Sequence, residues 1–210
     1  GVIKLKRIVL VTSSKRRIDL LRNLGIDPII VPPKNIFERQ IGSPERIVIE
    51  NARSKIRSVL GNKDIPRDAI LIAADTIIVD SGNRIYGKPN SVDHAAKMLK
   101  KLRGKWHRVI TGVVVFDLMD HSIDEFTVVT HVKMRNFSDE ELKLYLASLE
   151  GLDKAGAYAL QGLGSLLIEE IRGDPYNVIG LPLSRLHEVL LKHDVNLLGL
   201  GVLKRIVGVH

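Results

Sequence analysis

Asp75 is a carboxylate in the middle of an apolar run, Ala69-Ile70-Leu71-Ile72-Ala73-Ala74-Asp75-Thr76-Ile77-Ile78-Val79-Asp80. A charge inside a buried strand is costly unless it is paired or binds a metal, so this residue is the first candidate for chemistry. The alternative is a strand interrupted by a turn at Ala74-Asp75. A second group stands at Thr12-Ser13-Ser14-Lys15-Arg16-Arg17, where three hydroxyls precede three cations. Ser13 or Ser14 is the natural N-cap of a helix, which the spacing of Ile18, Leu20, Leu21 and Leu24 predicts and Gly25 ends. Cations are disfavoured in a first turn, because the free N–H groups already make that end positive. A bound anion accounts for them, and phosphate is the usual one. The alternative is a solvated basic face on an ordinary strand–helix turn.

Other residues of interest are scattered. Glu38 lies in a polar loop, Lys34 to Gly42. Asn51 and Lys55 are four apart on a predicted helix and share a face. Lys88 sits on a loop as a possible phosphate cation or as ordinary surface. Gln161 is an amide that can both donate and accept. It closes Asp153-Lys154-Ala155-Gly156-Ala157-Tyr158-Ala159-Leu160-Gln161-Gly162-Leu163-Gly164, whose small residues allow either close backbone approach to a ligand or tight packing. That stretch lacks a full G-x-G-x-x-G fingerprint. Gly82-Asn83-Arg84-Ile85-Tyr86-Gly87-Lys88 has P-loop spacing, but Pro89 stands where the magnesium-binding hydroxyl belongs and no helix follows directly, so it is not a P-loop.

The elements that must position these residues alternate between strand and helix patterns. A strand precedes Thr12, and Pro28 to Val31 reads as a short strand ended by Pro32-Pro33. Ser43-Pro44-Glu45 opens a helix carrying Ile47, Val48, Ala52, Ile56, Val59 and Leu60 on one face. The long strand with Asp75 turns back at Ser81-Gly82-Asn83. Ser91 to Leu102 is a helix, stopped at Gly104. His107 to Asp117 and Glu125 to Arg135 read as strands, and Ser138-Asp139-Glu140-Glu141 is a capping box for a helix through Leu149. A strand from Ser165 to Ile171, a turn at Gly173-Asp174-Pro175 and a helix from Leu183 to Lys192 follow. Gly199 to His210 reads as a short basic, apolar tail. There is no internal repeat and no low-complexity linker.

The 210 residues suffice for one domain or two small lobes, with 45% hydrophobic and 27% charged residues typical of a folded chain. A net charge of +8 favours anionic partners. With only 4% aromatic residues and dispersed basic ones, a stacking platform for nucleic-acid strands is not expected. The absence of cysteine excludes disulfides and thiolate metal sites. No targeting pattern or long apolar run is visible, so the expectation is a cytoplasmic protein with no membrane partner. Gly1 in place of methionine reads as processing or as a remnant of recombinant production. Asn136-Phe137-Ser138 fits a glycosylation acceptor by letter only.

Taken in order, six segments resemble the Maf-type nucleoside triphosphate pyrophosphatases over about residues 8 to 193. They are Thr12-Ser13-Ser14-Lys15-Arg16-Arg17, Glu50-Asn51-Ala52-Arg53-Ser54-Lys55, Ala74-Asp75-Thr76, Gly87-Lys88-Pro89, His107-Arg108-Val109-Ile110-Thr111-Gly112, and Asp153 to Tyr158 through Gln161-Gly162. Lys15 and Thr12 depart from that family's Ser-x-Ser-Pro-Arg-Arg opening.

The resemblance implies a mixed α/β fold with a long curved mixed sheet, flanking helices and two lobes around a central cleft, like the inosine triphosphate pyrophosphatases. It implies one catalytic domain over 1–198, followed by the 199–210 tail. It also implies hydrolysis of dTTP and UTP to the monophosphate and pyrophosphate with Mg2+ or Mn2+, by a homodimer. Asp75 matches the proton acceptor, and Arg16, Thr76 and Gln161 match positions that set base choice. On that basis Arg16, Arg17, Lys55 and Lys88 offset phosphate charge, the Ser13-Ser14 turn cradles a phosphate, and Glu38 with Asp75 supplies hard oxygen ligands. Two other readings compete. One is a house-cleaning pyrophosphatase for inosine or xanthosine triphosphates; the other is a non-enzymatic nucleotide-binding regulator linked to cell division.

Overall fold

The structure is a computed structural model that describes residues 6–207, so Gly1 and the last three residues of the expected tail lie outside it. In chain order the elements are β1 (Arg7–Val11), α1 (Lys15–Arg22), β2 (Ile29–Val31), α2 (Pro44–Val59), β3 (Ala69–Asp80), β4 (Ile85–Tyr86) and α3 (Val92–Leu102). They continue with β5 (Trp106–Asp117), β6 (Ile123–Met134), α4 (Asp139–Ala147), β7 (Ile168–Arg172), α5 (Pro175–Ile179), α6 (Leu183–Leu191) and α7 (Leu197–Ile206). Seven strands form one mixed sheet in the order β2-β1-β3-β5-β6-β7, with β4 paired to β3. β1 runs parallel to β2 and β3, whereas β4 and β7 pair antiparallel with β3 and β6. This is the mixed α/β architecture that the resemblance implies.

The chain divides into two compact units. The first comprises residues up to Asp75, Gly112–Thr127 and the chain from Gly180 onward; the second comprises Thr76–Thr111 and Val128–Ile179. In the first, α2 lays Ala52, Ile56 and Val59 against Val9, Val11, Leu71, Ala73 and Val114. Gly112 permits this packing: a Cβ there would lie 2.7 Å from the backbone carbon of Val48. In the second, α3 and α4 bury Met98, Leu99, Leu142 and Tyr145 with Ile78, Val132, Met134 and Phe137.

Local chemistry explains where the elements begin. Ser43, Ser91 and Ser138 cap α2, α3 and α4, the last with a complete capping box to Glu141. The hairpin between β3 and β4 turns at Asn83, in left-handed conformation, while Asp80 Oδ1 accepts the Gly82 and Arg84 N–H groups. Phe137 is buried and Ser138 serves as a cap, which gives the Asn136-Phe137-Ser138 triplet a structural role.

The structure differs from expectation near the C-terminal end. The strand predicted from Ser165 starts at Ile168, because Gly162–Leu167 coils as a 3-10 helix. Glu150 holds that coil by accepting the Leu163 and Gly164 N–H groups. Pro175 does not end a turn but starts α5, since a proline fits a first helical position where no N–H is needed. Of the stretch read as a tail, Gly199 to Ile206 lies inside α7, whose start is capped by the Asn196 side chain accepting from Gly199 N–H.

Candidate active site

The apolar strand carrying Asp75 is continuous: β3 runs through Ala74-Asp75 without a turn. Asp75 is buried, and its partners come from one face of α2. Asn51 Nδ2 donates to Asp75 Oδ2 at 2.9 Å, and Lys55 Nζ stands 3.6 Å from Asp75 Oδ1. Lys55 Nζ also donates to the Ala74 carbonyl at 2.8 Å. Residues four apart on a helix present side chains to the same neighbour, so the Asn51–Lys55 spacing puts an amide and a cation on one carboxylate. The sequence marks these two residues as sharing a face; the role of Asn51 was not assigned from it.

On the strand paired directly with β3, Thr12 is buried at the end of β1, and its Oγ1 accepts the Ser14 N–H at 2.9 Å. Ser14, not Ser13, caps α1 by accepting the Arg17 N–H, while Ser13 is exposed. Arg17 Nε donates to the Gly180 carbonyl at 2.6 Å. Removal of its guanidinium from water lowers the Arg17 pKa to about 10, against the pull of Asp75 and Glu38 and with a push from Arg16. That balance means Asp75, Glu38 and Arg16 all act on one half-buried cation. The first turn of α1 and two carboxylates from distant parts of the sequence are therefore gathered in one unit.

Glu38 itself is exposed on its loop. The loop is fastened one residue later: Asn51 Oδ1 accepts the Arg39 N–H at 2.6 Å, and Asn51 Nδ2 donates to the Arg39 carbonyl at 3.1 Å. Glu38 and Asp75 carry oxygen donors of the kind a hard divalent cation takes, and among the described residues no group of three or more His, Asp or Glu side chains is gathered for one.

The remaining predicted residues belong to the second unit. Thr76 Oγ1 lies 2.8 Å from Thr111 Oγ1, and Thr111 donates to the Asn177 carbonyl at 3.1 Å. A carbonyl can only accept, so the single Thr111 proton is committed there and Thr76 is the donor to Thr111. Thr111, fully buried, therefore fixes the direction of the Thr76 hydroxyl; the sequence places it in a family-like segment without giving it a role. Lys88 and Gln161 are exposed. The Lys88 loop is joined to the small-residue stretch by the Gly156 N–H, which donates to the Gly87 carbonyl at 3.1 Å.

The small residues of that stretch pack on protein. Gly156 is left-handed, and a Cβ there would collide with the Ile78 side chain. Of the two readings open from sequence, tight packing is the one realised at Gly156.

A family model described as Maf-like protein matches residues 7–193. A dTTP/UTP pyrophosphatase of Staphylothermus marinus is 49% identical over 205 residues, covering 97% of this chain and 98% of that one. A protein of the same name from Dictyoglomus thermophilum is 43% identical over 196 residues, covering 92% and 99%. Among solved structures, a HAM1 protein from Coxiella burnetii is 11% identical with a TM-score of 0.44, over 97% of this chain and 98% of its own, a likeness too distant to inform the site. With a family model over nearly the whole chain and relatives this similar along their full lengths, the chain belongs to the Maf-like protein family.

Proposed function

We propose that this protein hydrolyses nucleoside triphosphates to the monophosphate and pyrophosphate, with dTTP and UTP as its substrates. The observation that carries the reading is Asp75, a buried strand carboxylate held from α2 by Asn51 and faced by Lys55, in the same unit as Arg16, Arg17 and Glu38. The full-length relatives named dTTP/UTP pyrophosphatase support the substrate class.

The chemistry follows from those groups. Water attacks the α-phosphorus, the bond from that phosphorus to the bridging oxygen breaks, and pyrophosphate leaves with the bridging oxygen. Asp75 takes the proton of the attacking water. Negative charge grows on the phosphoryl oxygens and on the leaving group, and preorganised cations answer it. Arg16, Arg17, Lys55 and Lys88 have that role, and the hydroxyl and N–H groups of the Ser13-Ser14 turn hold a phosphate. Glu38 and Asp75 would hold a divalent cation such as Mg2+ or Mn2+, which would supply further charge neutralisation. Arg16, Thr76 and Gln161 read the base, an assignment supported by family membership.

Purified protein is assayed with Mg2+ against dTTP, UTP, CTP, GTP, ATP, ITP and XTP, with pyrophosphate as the readout. The expected result is that dTTP and UTP lead. Preference for ITP or XTP overturns the substrate class, and absence of turnover with salt-sensitive binding overturns the enzyme reading in favour of a binding regulator. Among the described residues no helix is long and apolar enough to cross a membrane. The same reading carries a cytoplasmic homodimer, which light scattering on the purified protein and cell fractionation test.

A further inference from the structure

Asn51 is a side chain with almost nothing left to give. It is 3% exposed, and both protons of its amide are in use, one on Asp75 Oδ2 and one on the Arg39 carbonyl. Its Oδ1 accepts the Arg39 N–H. The two bonds to Arg39 close a ring on the backbone of a single residue, much as a neighbouring strand would pair with it. That residue lies in a stretch between β2 and α2 without helix or strand, and its neighbour is Glu38. The Arg39 side chain strengthens the anchorage: Nη1 pairs with Glu50 Oε2 on α2 at 2.5 Å, and Nε donates to the Ile41 carbonyl at 2.6 Å. One amide thus joins the strand that bears Asp75 to the loop that bears Glu38.

We propose that Asn51 is a positioning residue, setting the place of Glu38 relative to Asp75 through the Arg39 backbone. This rests on the reading above, in which Glu38 and Asp75 serve the same triphosphate. Only a group with a donor and an acceptor side by side can make these bonds. Aspartate at this position would set an acceptor against the Asp75 carboxylate. Leucine would keep the size and lose all three bonds.

The test uses the full-length protein as wild type, Asn51→Leu, Asn51→Asp, Glu38→Gln and the Asn51→Leu/Glu38→Gln double variant. Three quantities are read: kcat and KM for UTP, hydrogen exchange at the Arg39 amide, and trypsin cleavage after Arg39. For Asn51→Leu, kcat is expected to fall about 100-fold with KM within about threefold, as for a displaced reacting group. Exchange at Arg39 should quicken by about tenfold or more, and cleavage there should accelerate while other sites keep their wild-type rates. The double variant should be no slower than Glu38→Gln alone, because Asn51 acts through Glu38.

Unchanged exchange and cleavage at Arg39, or losses that multiply in the double variant, overturn the proposal. If Asn51→Leu unfolds, Asn51→Asp with a retained thermal transition gives the same three readouts. A wild type with no turnover on any triphosphate refutes the functional reading on which the proposal rests. Exchange at Arg39 tells that failure apart from a failure of the tether itself.

Discussion

Each unit buries a polar cluster, and the two clusters are built on opposite principles. In the first, Asp75 shares its burial with a lysine and an amide, and Lys55 gives its 2.8 Å bond to the Ala74 carbonyl while standing 3.6 Å from the carboxylate. In the second, His107 Nε2 and the Tyr158 hydroxyl meet at 2.6 Å, both deeply buried. Burial drives both of those groups to their neutral forms: His107 falls to about 4, against a smaller pull from Asp80, and Tyr158 is pushed well above the usual phenol range. This neutral pair, with His107 Nδ1 left without a partner among the described residues, is packed into a core and offers no charge to a phosphate. A charged set drawn from several elements, with cations placed beside a carboxylate, is what phosphoryl chemistry requires. The lesson is that buried polarity alone does not mark a site; its charge state does.

The strongest way to break this contrast is Asp75→Asn, which keeps shape and removes charge. Its kcat should fall by about 1,000-fold or more while nucleotide binding, read by calorimetry, and the thermal transition are retained. Turnover near wild type would remove Asp75 from the chemistry. Lys55→Met should be costly twice over, because it leaves a buried carboxylate without its cation. Denaturant unfolding should show a loss of about 3 kcal/mol, and kcat/KM should drop with it.

His107 sharpens the comparison from the other side. Its folded pKa lies below the unfolded value, so the unfolded chain binds the extra proton between about pH 6.5 and 4. The stability it contributes is therefore complete above about pH 6.5 and declines as pH falls toward 4, by roughly 3 kcal/mol. Thermal unfolding across that window should show the decline, and His107→Gln should flatten it. Tyr158→Phe is the smallest effect: about 1 kcal/mol of stability lost, with kcat/KM for UTP unchanged. A large loss of activity in that variant would dissolve the distinction between the clusters.

The local rules carried much of the architecture. Ser43, Pro44 and Glu45 announce α2, the Ser138 to Glu141 box announces α4, and the apolar run through Asp75 announces β3, because caps and periodicity act within a few residues. They failed at Ser165 to Leu167, where apolar residues that suit a strand are coiled by Glu150, a partner no short window contains. They failed again at Gly199, where weak periodicity hid α7.

The amino-acid order by itself determined that a carboxylate would sit in an apolar strand, that three cations would follow a hydroxyl cap, and that Asn51 and Lys55 would share a helix face. Only the tertiary structure decided that this face meets Asp75, that Arg17 feels both Asp75 and Glu38, and that Asn51 clasps Arg39. The physical reason is one of range. Propensity and capping are short-range and leave a trace in neighbouring letters. Hydrogen bonds and charges that meet across 12 or 24 positions are set by how a helix packs on a strand, through contacts such as the close approach of α2 at Gly112.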